Sequence, residues 1–310
     1  MMAELNTVDT ALLEIIADMP RGEAPGAVNI RKDSGCASRM TTENIDIRTK
    51  EDKPGIDILV KPGTKGETCH IPVIITKSGL TETVYNDFYI GEGADVTIIA
   101  GCGIHNCGED ASRHDGVHTF HIGKNARVAY VEKHYGDGDG AGGRIMNPQT
   151  VAYLEEGAFL KMDTSQIRGI DSTKRDTRIV CGPMAETVVT ERLQTHGEQR
   201  AESNMEIVLD GDGARGQVVS RSVAQDGSTQ VFYPRMTGNA RCFGHVQCDS
   251  IIMDSAKITS IPALTANSTE AELIHEAAIG KIAGDQLLKL QTLGLTAEEA
   301  EERILKGFLA

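Results

Sequence analysis

The stretch "IGEGADVTII", residues 90–99, returns as "IGKNARVAYV" at 122–131 and as "LEEGAFLKMD" at 154–163. Each copy is an apolar residue, a short turn, an alanine and then alternating residues. Ala94, Ala126 and Ala158 are spaced 32 apart, and looser copies surround Ala185, Ala214 and Ala256. Such alternation is the mark of a strand with one buried face, and it is already visible upstream in "IDILV" and "HIPVIIT". Strand-and-turn units recurring every few tens of residues point to coils stacked in a β-helical solenoid, each burying its face on the next. A set of ordinary β-hairpins is the competing reading, because loose phrases containing Gly and Ala also recur by chance.

The composition agrees with a β-rich body. Hydrophobic residues make up 40% of the 310 and charged residues 25%, the balance of a folded chain. Aromatics are only 4%, with no Trp and 33 Gly, which suits short strands and tight turns better than a helical bundle. A net charge of −14 argues against a nucleic-acid partner, since phosphate contacts need clustered Lys and Arg. No apolar run reaches the length of a membrane span. The N-terminal "MMAELNTVDTALLEIIADMP" lacks a basic n-region and reads as a short amphipathic helix ended by Pro20, not as a secretory signal. The seven cysteines are odd in number and scattered, so reduced thiols and a cytoplasmic location are expected.

After Pro262 the pattern becomes helical. "DQLLKLQTLGL" has leucines at helical spacing, with Asp285 placed to cap and Gly294 to terminate. Thr296 and Glu299 form a capping box before "AEEAEERILKGFL", where Ala300, Ile304 and Phe308 share a face flanked by Leu305 and Leu309. The expected organisation is a helical segment over 1–25, a β core over 26–265, and a last strand with C-terminal helices over 266–310.

The richest stretch for chemistry is "GCGIHNCGEDASRHDGVHTFHIG", residues 101–123, with two cysteines and four histidines. Cys102, His105 and Cys107 have the ligand types for zinc or iron, but C-x2-H-x-C is not a standard finger spacing. If "DGVHTFHIG" is a strand, His114 and His118 lie on one face and His121 on the other, so one ion cannot hold all three. The glycine stretch "HYGDGDGAGGR", 134–144, lacks the Gly-Lys-Ser/Thr ending of a phosphate loop and reads as a flexible connection. With no such loop elsewhere, the chain is expected not to hydrolyse nucleotide by itself. Later, Cys248 precedes Asp249 in "GHVQCDSIIMD", and His275 precedes Glu276 in "LIHEAAIGKI".

These later motifs carry a resemblance. "QCDSIIM", "HEAAIGKI" and "DQLLKLQTLGLTAEEAEERILKGF", with the spacing between them, resemble the core of the SufB/SufD family of iron–sulfur cluster assembly proteins. The match is looser upstream through "GCGIH" and "QVVSRSVAQDGSTQVF". It implies a non-catalytic scaffold with a right-handed parallel β-helix and with C-terminal helices that dock a SufC-like ABC-type ATPase through Leu287, Leu288, Leu290, Ile304 and Phe308. It implies that Cys102 accepts sulfur as a persulfide from a sulfur donor, with His105 as a possible assistant and Cys107 secondary. Cys248, Glu276 and His275 would hold iron in a nascent, transient iron–sulfur cluster, and thiolates are its usual ligands. The chain departs from SufB in lacking a long N-terminal helical region. It combines SufB-like Cys248 and Glu276 with SufD-like use of His275, as a single-type version that pairs with itself as a homodimer, or with a SufD-like partner. The alternative is a metal-dependent β-helix enzyme using the Cys102–His121 segment.

Overall fold

In the computed structural model, which describes residues 5–310, the chain winds through about eight turns of a nearly all-parallel β-solenoid. Strands alternate between two sheets. The first sheet carries Asp95–His105, Arg127–Asp137, Phe159–Arg168, Glu186–Thr195, Arg215–Ala224, Cys242–Ile252 and Ala271–Gly280 in spatial order. The second carries Thr81–Ile90, Ser112–Ile122, Ser172–Cys181, Arg200–Leu209 and Thr229–Gly238, with shorter strands between and after them. Among the described residues, hairpins, the competing reading of the repeat, occur only at the N-terminal end. There Gly35–Met40 pairs antiparallel with Ala27–Lys32, and Ile45–Thr49 with Gly55–Val60.

The recurring phrase is one corner of the coil. Ala94, Ala126, Ala158, Ala185 and Ala214 each donate a backbone N–H to the residue three before, closing a turn. The residue before each alanine has φ between 55° and 74°: Gly93, Asn125, Gly157, Met184 and Gly213. That is the third-position geometry of a type II turn, and Pro183 supplies the preferred second position of the fourth. The alanine carbonyls then accept from Arg127, Phe159, Glu186, Arg215 and Phe243 on the next coil. Each alanine is at most 1% exposed, so the corner admits only a small side chain. Ala256 does not belong to this series. Its turn joins Cys242–Ile252 to Lys257–Ser260, across the other corner, and the place after Ala214 is taken by Cys242.

The first four residues of the expected helical segment lie outside those described. Helix Thr7–Ala17 has an Asn6/Asp9 capping box and packs Leu12, Leu13 and Ile16 on the outside of the coil. It sits so close to Asp95–His105 that a Cβ on Gly101 would stand 2.2 Å from the Ile16 carbonyl oxygen. At the other end, helix Gly284–Thr292 buries no residue and helix Ala297–Phe308 buries Ala300 and Leu305. Its Thr296/Glu299 capping box forms as expected, and Gly294 ends the preceding helix at φ 98°. Asp285 lies inside the first turn, two places past the Ala283 cap position, and caps nothing.

The interior is apolar over most of its length, with Phe88 stacked on Phe120 and Tyr130 edge-on to Phe120. Beside this core runs a polar column. Tyr130 donates to the Glu132 carboxylate, which also takes a hydrogen bond from Arg175. His118 Nδ1 stands 2.7 Å from the Tyr130 hydroxyl, and because that hydroxyl gives its proton to Glu132, the imidazole donates to it. Burial opposes the Glu132 charge, but Arg175 and His134 prevail and hold its pKa well below the usual range. Burial lowers His118 to about 4 against the partial counter-pull of Glu132.

Two predictions follow from this interior. Ala126→Leu has no room at the corner and should cost about 1–3 kcal/mol, read as a lower denaturant midpoint; an unchanged midpoint contradicts the corner packing. The unfolded chain protonates histidine near pH 6.5, whereas folded His118 stays neutral until about 4, so stability falls as pH drops through that window. Denaturant midpoints should therefore be lower at pH 5 than at pH 7, with a smaller difference in His118→Gln. Equal midpoints at the two pH values contradict the neutral buried imidazole.

Candidate functional site

Cys102 lies on Asp95–His105 among the inward residues Ile98, Ala100 and Ile104, and is 4% exposed. Outside, the flanking Gly101 and Gly103 are covered by the N-terminal helix, so the thiol faces only the lumen. There it lines a cavity of about 20 Å³ with His114, His118, Glu132 and His134, enough space for one water. Burial first, then the charges of Glu82 and Glu132, push its thiol pKa well above the usual value. An open thiol of lowered pKa, assisted by His105, is therefore not what the structure presents. Residues three apart on a strand face opposite ways, and His105 points outward, with Nδ1 2.7 Å from Asp137 Oδ1 and Nε2 3.0 Å from Cys107 Sγ.

The histidines divide as strand alternation requires. His114 and His118 are buried, the former 3.0 Å from Glu82 and the latter between Asn86 and Tyr130. His121 is exposed and stacks between Tyr89 and Tyr153. The segment 102–121 thus divides its ligand-type side chains between the lumen, which Cys102, His114 and His118 face, and the outer surface, where His105, Cys107 and His121 lie. A single metal centre built from it, as the enzyme alternative needs, finds no support. Nor is 134–144 a loose connection: Gly138, Gly140 and Gly142 lie so near the backbone of 106–110 that a Cβ on any would fall within 2.4 Å of it.

The second thiol, Cys248, is 3% exposed on Cys242–Ile252. His275, on the last strand, shares its inward side and places Nε2 3.6 Å from Cys248 Sγ. Burial raises the Cys248 thiol to about 12, and a bound metal would take its proton, as metal ligation generally does. Glu276, the adjacent residue, faces out beside His245, 3.6 Å away. One chain thus joins Cys248 with His275 and separates Glu276 from both. A thiolate and an imidazole suit iron, yet among the described residues no group of three or more His, Cys, Asp or Glu side chains is placed to hold a metal.

Register connects the two thiols. Ala100, Glu132, Thr164, Glu191, Ser220 and Cys248 occupy one inward ladder, a residue per coil. Cys102 and His134 start the ladder beside it. Five coils separate Cys102 from Cys248, ~24 Å at ~4.8 Å per strand spacing. Between them Arg175 stands against Glu132 and 3.7 Å from Glu191, whose oxygens accept from Ser203 and Ser220. Residue spacing gave no sign of this column, because its members lie tens of residues apart and only stacking unites them.

The residues expected to dock an ATPase sit unequally. Leu288 is 60% exposed, Leu287 and Leu290 are half-buried on a helix with no buried residue, and Ile304 and Phe308 are half-buried on the last helix. Leu305 and Leu309 pack on Val223 of the coil, and Phe308 packs against the same cluster.

Residues 75–308 match the family described as "SUF system FeS cluster assembly, SufBD core domain". An iron-sulfur cluster assembly SufBD family protein of Methanocaldococcus jannaschii is 27% identical over 90% of this chain and 89% of its own length. One from Archaeoglobus fulgidus is 27% identical over 90% of the chain and 73% of its own. One from Methanothermobacter thermautotrophicus is 29% identical over 83% of the chain, which spans 62% of that relative. A second Methanothermobacter relative is covered over only 58% of its length. With the match running from the first coils to the last helix, the chain belongs to the SufBD family of iron–sulfur cluster assembly proteins.

Proposed function

We propose that the chain is the scaffold on which a nascent iron–sulfur cluster is built, at the open end of the coil on Cys248 and His275. The observation that carries this reading is the 3.6 Å approach of a thiol and an imidazole on the last two strands of the first sheet, in a chain of this family. Cluster ligation usually takes four groups. A twofold pairing of two copies through Ala271–Gly280 would duplicate each ligand, since an isologous interface presents the same patch twice. Ile274, Ile279, Ile261 and Leu264 are exposed there, a set of apolar side chains that pairing would cover. Glu276 would then serve from the outer face of the same strand, as a ligand after rearrangement or as a carboxylate near the iron. Cys102 is the interior thiol for sulfur, facing the same polar column as Cys248.

A SufC-like ABC-type ATPase is the partner that the C-terminal helices suit, because Gly284–Thr292 spends none of its leucines on the coil. Among the described residues no helix is long and apolar enough to cross a membrane. We place the work in the cytoplasm, where reduced thiols persist.

Anaerobic reconstitution with iron and sulfide should give the visible absorption of a cluster in the wild type and at least ~10-fold less in Cys248→Ser, given the loss of a thiolate ligand. Full absorption in Cys248→Ser contradicts the site. Leu288→Glu, on the outer side of the unburied helix, should abolish co-purification of the ATPase without shifting the denaturant midpoint. Retained co-purification contradicts the docking surface.

A further inference from the structure

Outside the column, on the surface, the structure gathers a second set of reactive groups. Cys107 is exposed. Its Sγ is 3.0 Å from His105 Nε2, and His105 Nδ1 is 2.7 Å from Asp137 Oδ1. His105 and Asp137 are direct neighbours in the ladder between Asp95–His105 and Arg127–Asp137, so two stacked strands fix the pair. A thiol next to a base that is itself oriented by a third group is the arrangement that activates a nucleophile.

The loop bearing Cys107 is built to hold this position. Asn106 is fully buried, and its side-chain amide donates to the carbonyls of Asp110 and Gly142 while its oxygen accepts from the Gly108 N–H. Gly138 and Gly140 let the loop of the next coil lie backbone to backbone on 106 and 108. That loop brings Asp139 to Cys107, whose hydrogen bond is the first cause holding the Asp139 carboxyl below its usual range. The thiol therefore has two acceptors, and of the two the His105 imidazole is the one oriented by a third group, Asp137.

We propose that Cys107, with His105 as base and Asp137 as its positioning residue, is a surface nucleophile that takes sulfane sulfur from a persulfide. The substrate class rests on the cluster-assembly reading; the activation of the thiol does not. In the step, His105 Nε2 takes the Cys107 proton and the thiolate attacks the outer sulfur of a donor R–S–S–H. A new S–S bond forms on Cys107 as the donor's S–S bond breaks, its electron pair leaving on the inner sulfur. That thiolate recovers the proton from His105, giving R–S–H and a Cys107 persulfide with no net oxidation. The buried Cys102 lacks the access for this step, so loading at the surface precedes any sulfur held inside.

The chain carries its own comparator in Cys36, also exposed, whose sulfur hydrogen-bonds, among the described residues, to the Asn29 side-chain oxygen and the Ser38 carbonyl and to no base. Full-length protein is treated with limiting cysteine persulfide, trapped with iodoacetamide and mapped by peptide mass spectrometry. Cys107 should gain sulfur ~10-fold or more faster than Cys36, the lower range of what a positioned base contributes. His105→Gln should bring it down to the Cys36 rate, and Asp137→Asn should slow it severalfold. Equal loading of Cys36 and Cys107, loading at Cys102 that persists in full in Cys107→Ser, or an unchanged rate in His105→Gln overturns the proposal. Iodoacetamide alone is the second arm: a Cys107 that alkylates fast but gains no sulfur overturns the persulfide substrate. The sulfur is read on Cys107 without iron or a formed cluster, so failure of cluster assembly leaves this result distinguishable.

Discussion

The lumen of a two-sheet coil is closed to water along its length, so a charge on an inward ladder must find its partner on a neighbouring coil. Glu132, Arg175 and Glu191 meet that constraint together, with Tyr130, Ser203 and Ser220 satisfying the remaining carboxylate oxygens. Removing one partner of such a buried set typically costs about 3–5 kcal/mol, because the other charge is left without compensation. The set therefore depends on parallel stacking in strict register. Register in turn depends on the alanine corner, where five turns of one geometry start successive strands in step.

The two ends of the coil are finished differently, and chemistry follows the difference. Toward the N-terminus, antiparallel strands and helix Thr7–Ala17 cover the sheets, sealing the strand that bears Cys102. Toward the C-terminus, Ala271–Gly280 has a neighbour on one side only and holds exposed Ile274 and Ile279. An unpaired edge with apolar residues is a surface that natural proteins cover. His275, on that edge strand, meets Cys248 of the strand next to it. The column runs from Cys102 beneath the N-terminal helix to Cys248 beside the last strand.

Much of the architecture was legible because strand period and turn chemistry are local. The phrase around Ala94, Ala126 and Ala158 announced the corner, and alternation separated His114 and His118 from His121. Ala256 misled because the opposite corner also closes a turn on a small residue, with its N–H bonded to Met253. The same alternation already set Cys102 and His105 on opposite faces, and likewise His275 and Glu276. Motif matching grouped them by proximity in sequence. What could not be read locally was anything made by stacking. Asp137 reaches His105 only through the ladder, Glu132 meets Arg175 only across coils, and glycines 138–142 looked flexible until the loop beneath them was known.

The most direct test of the account is the ligation of the cluster at the open end. Pulsed EPR on the anaerobically reconstituted, reduced protein with 15N-labelled histidine reads an imidazole bound to iron. A strong 15N coupling that disappears in His275→Gln is the predicted result. A full-yield cluster with no histidine coupling, or one whose coupling persists unchanged in His275→Gln, would contradict assembly on Cys248 and His275.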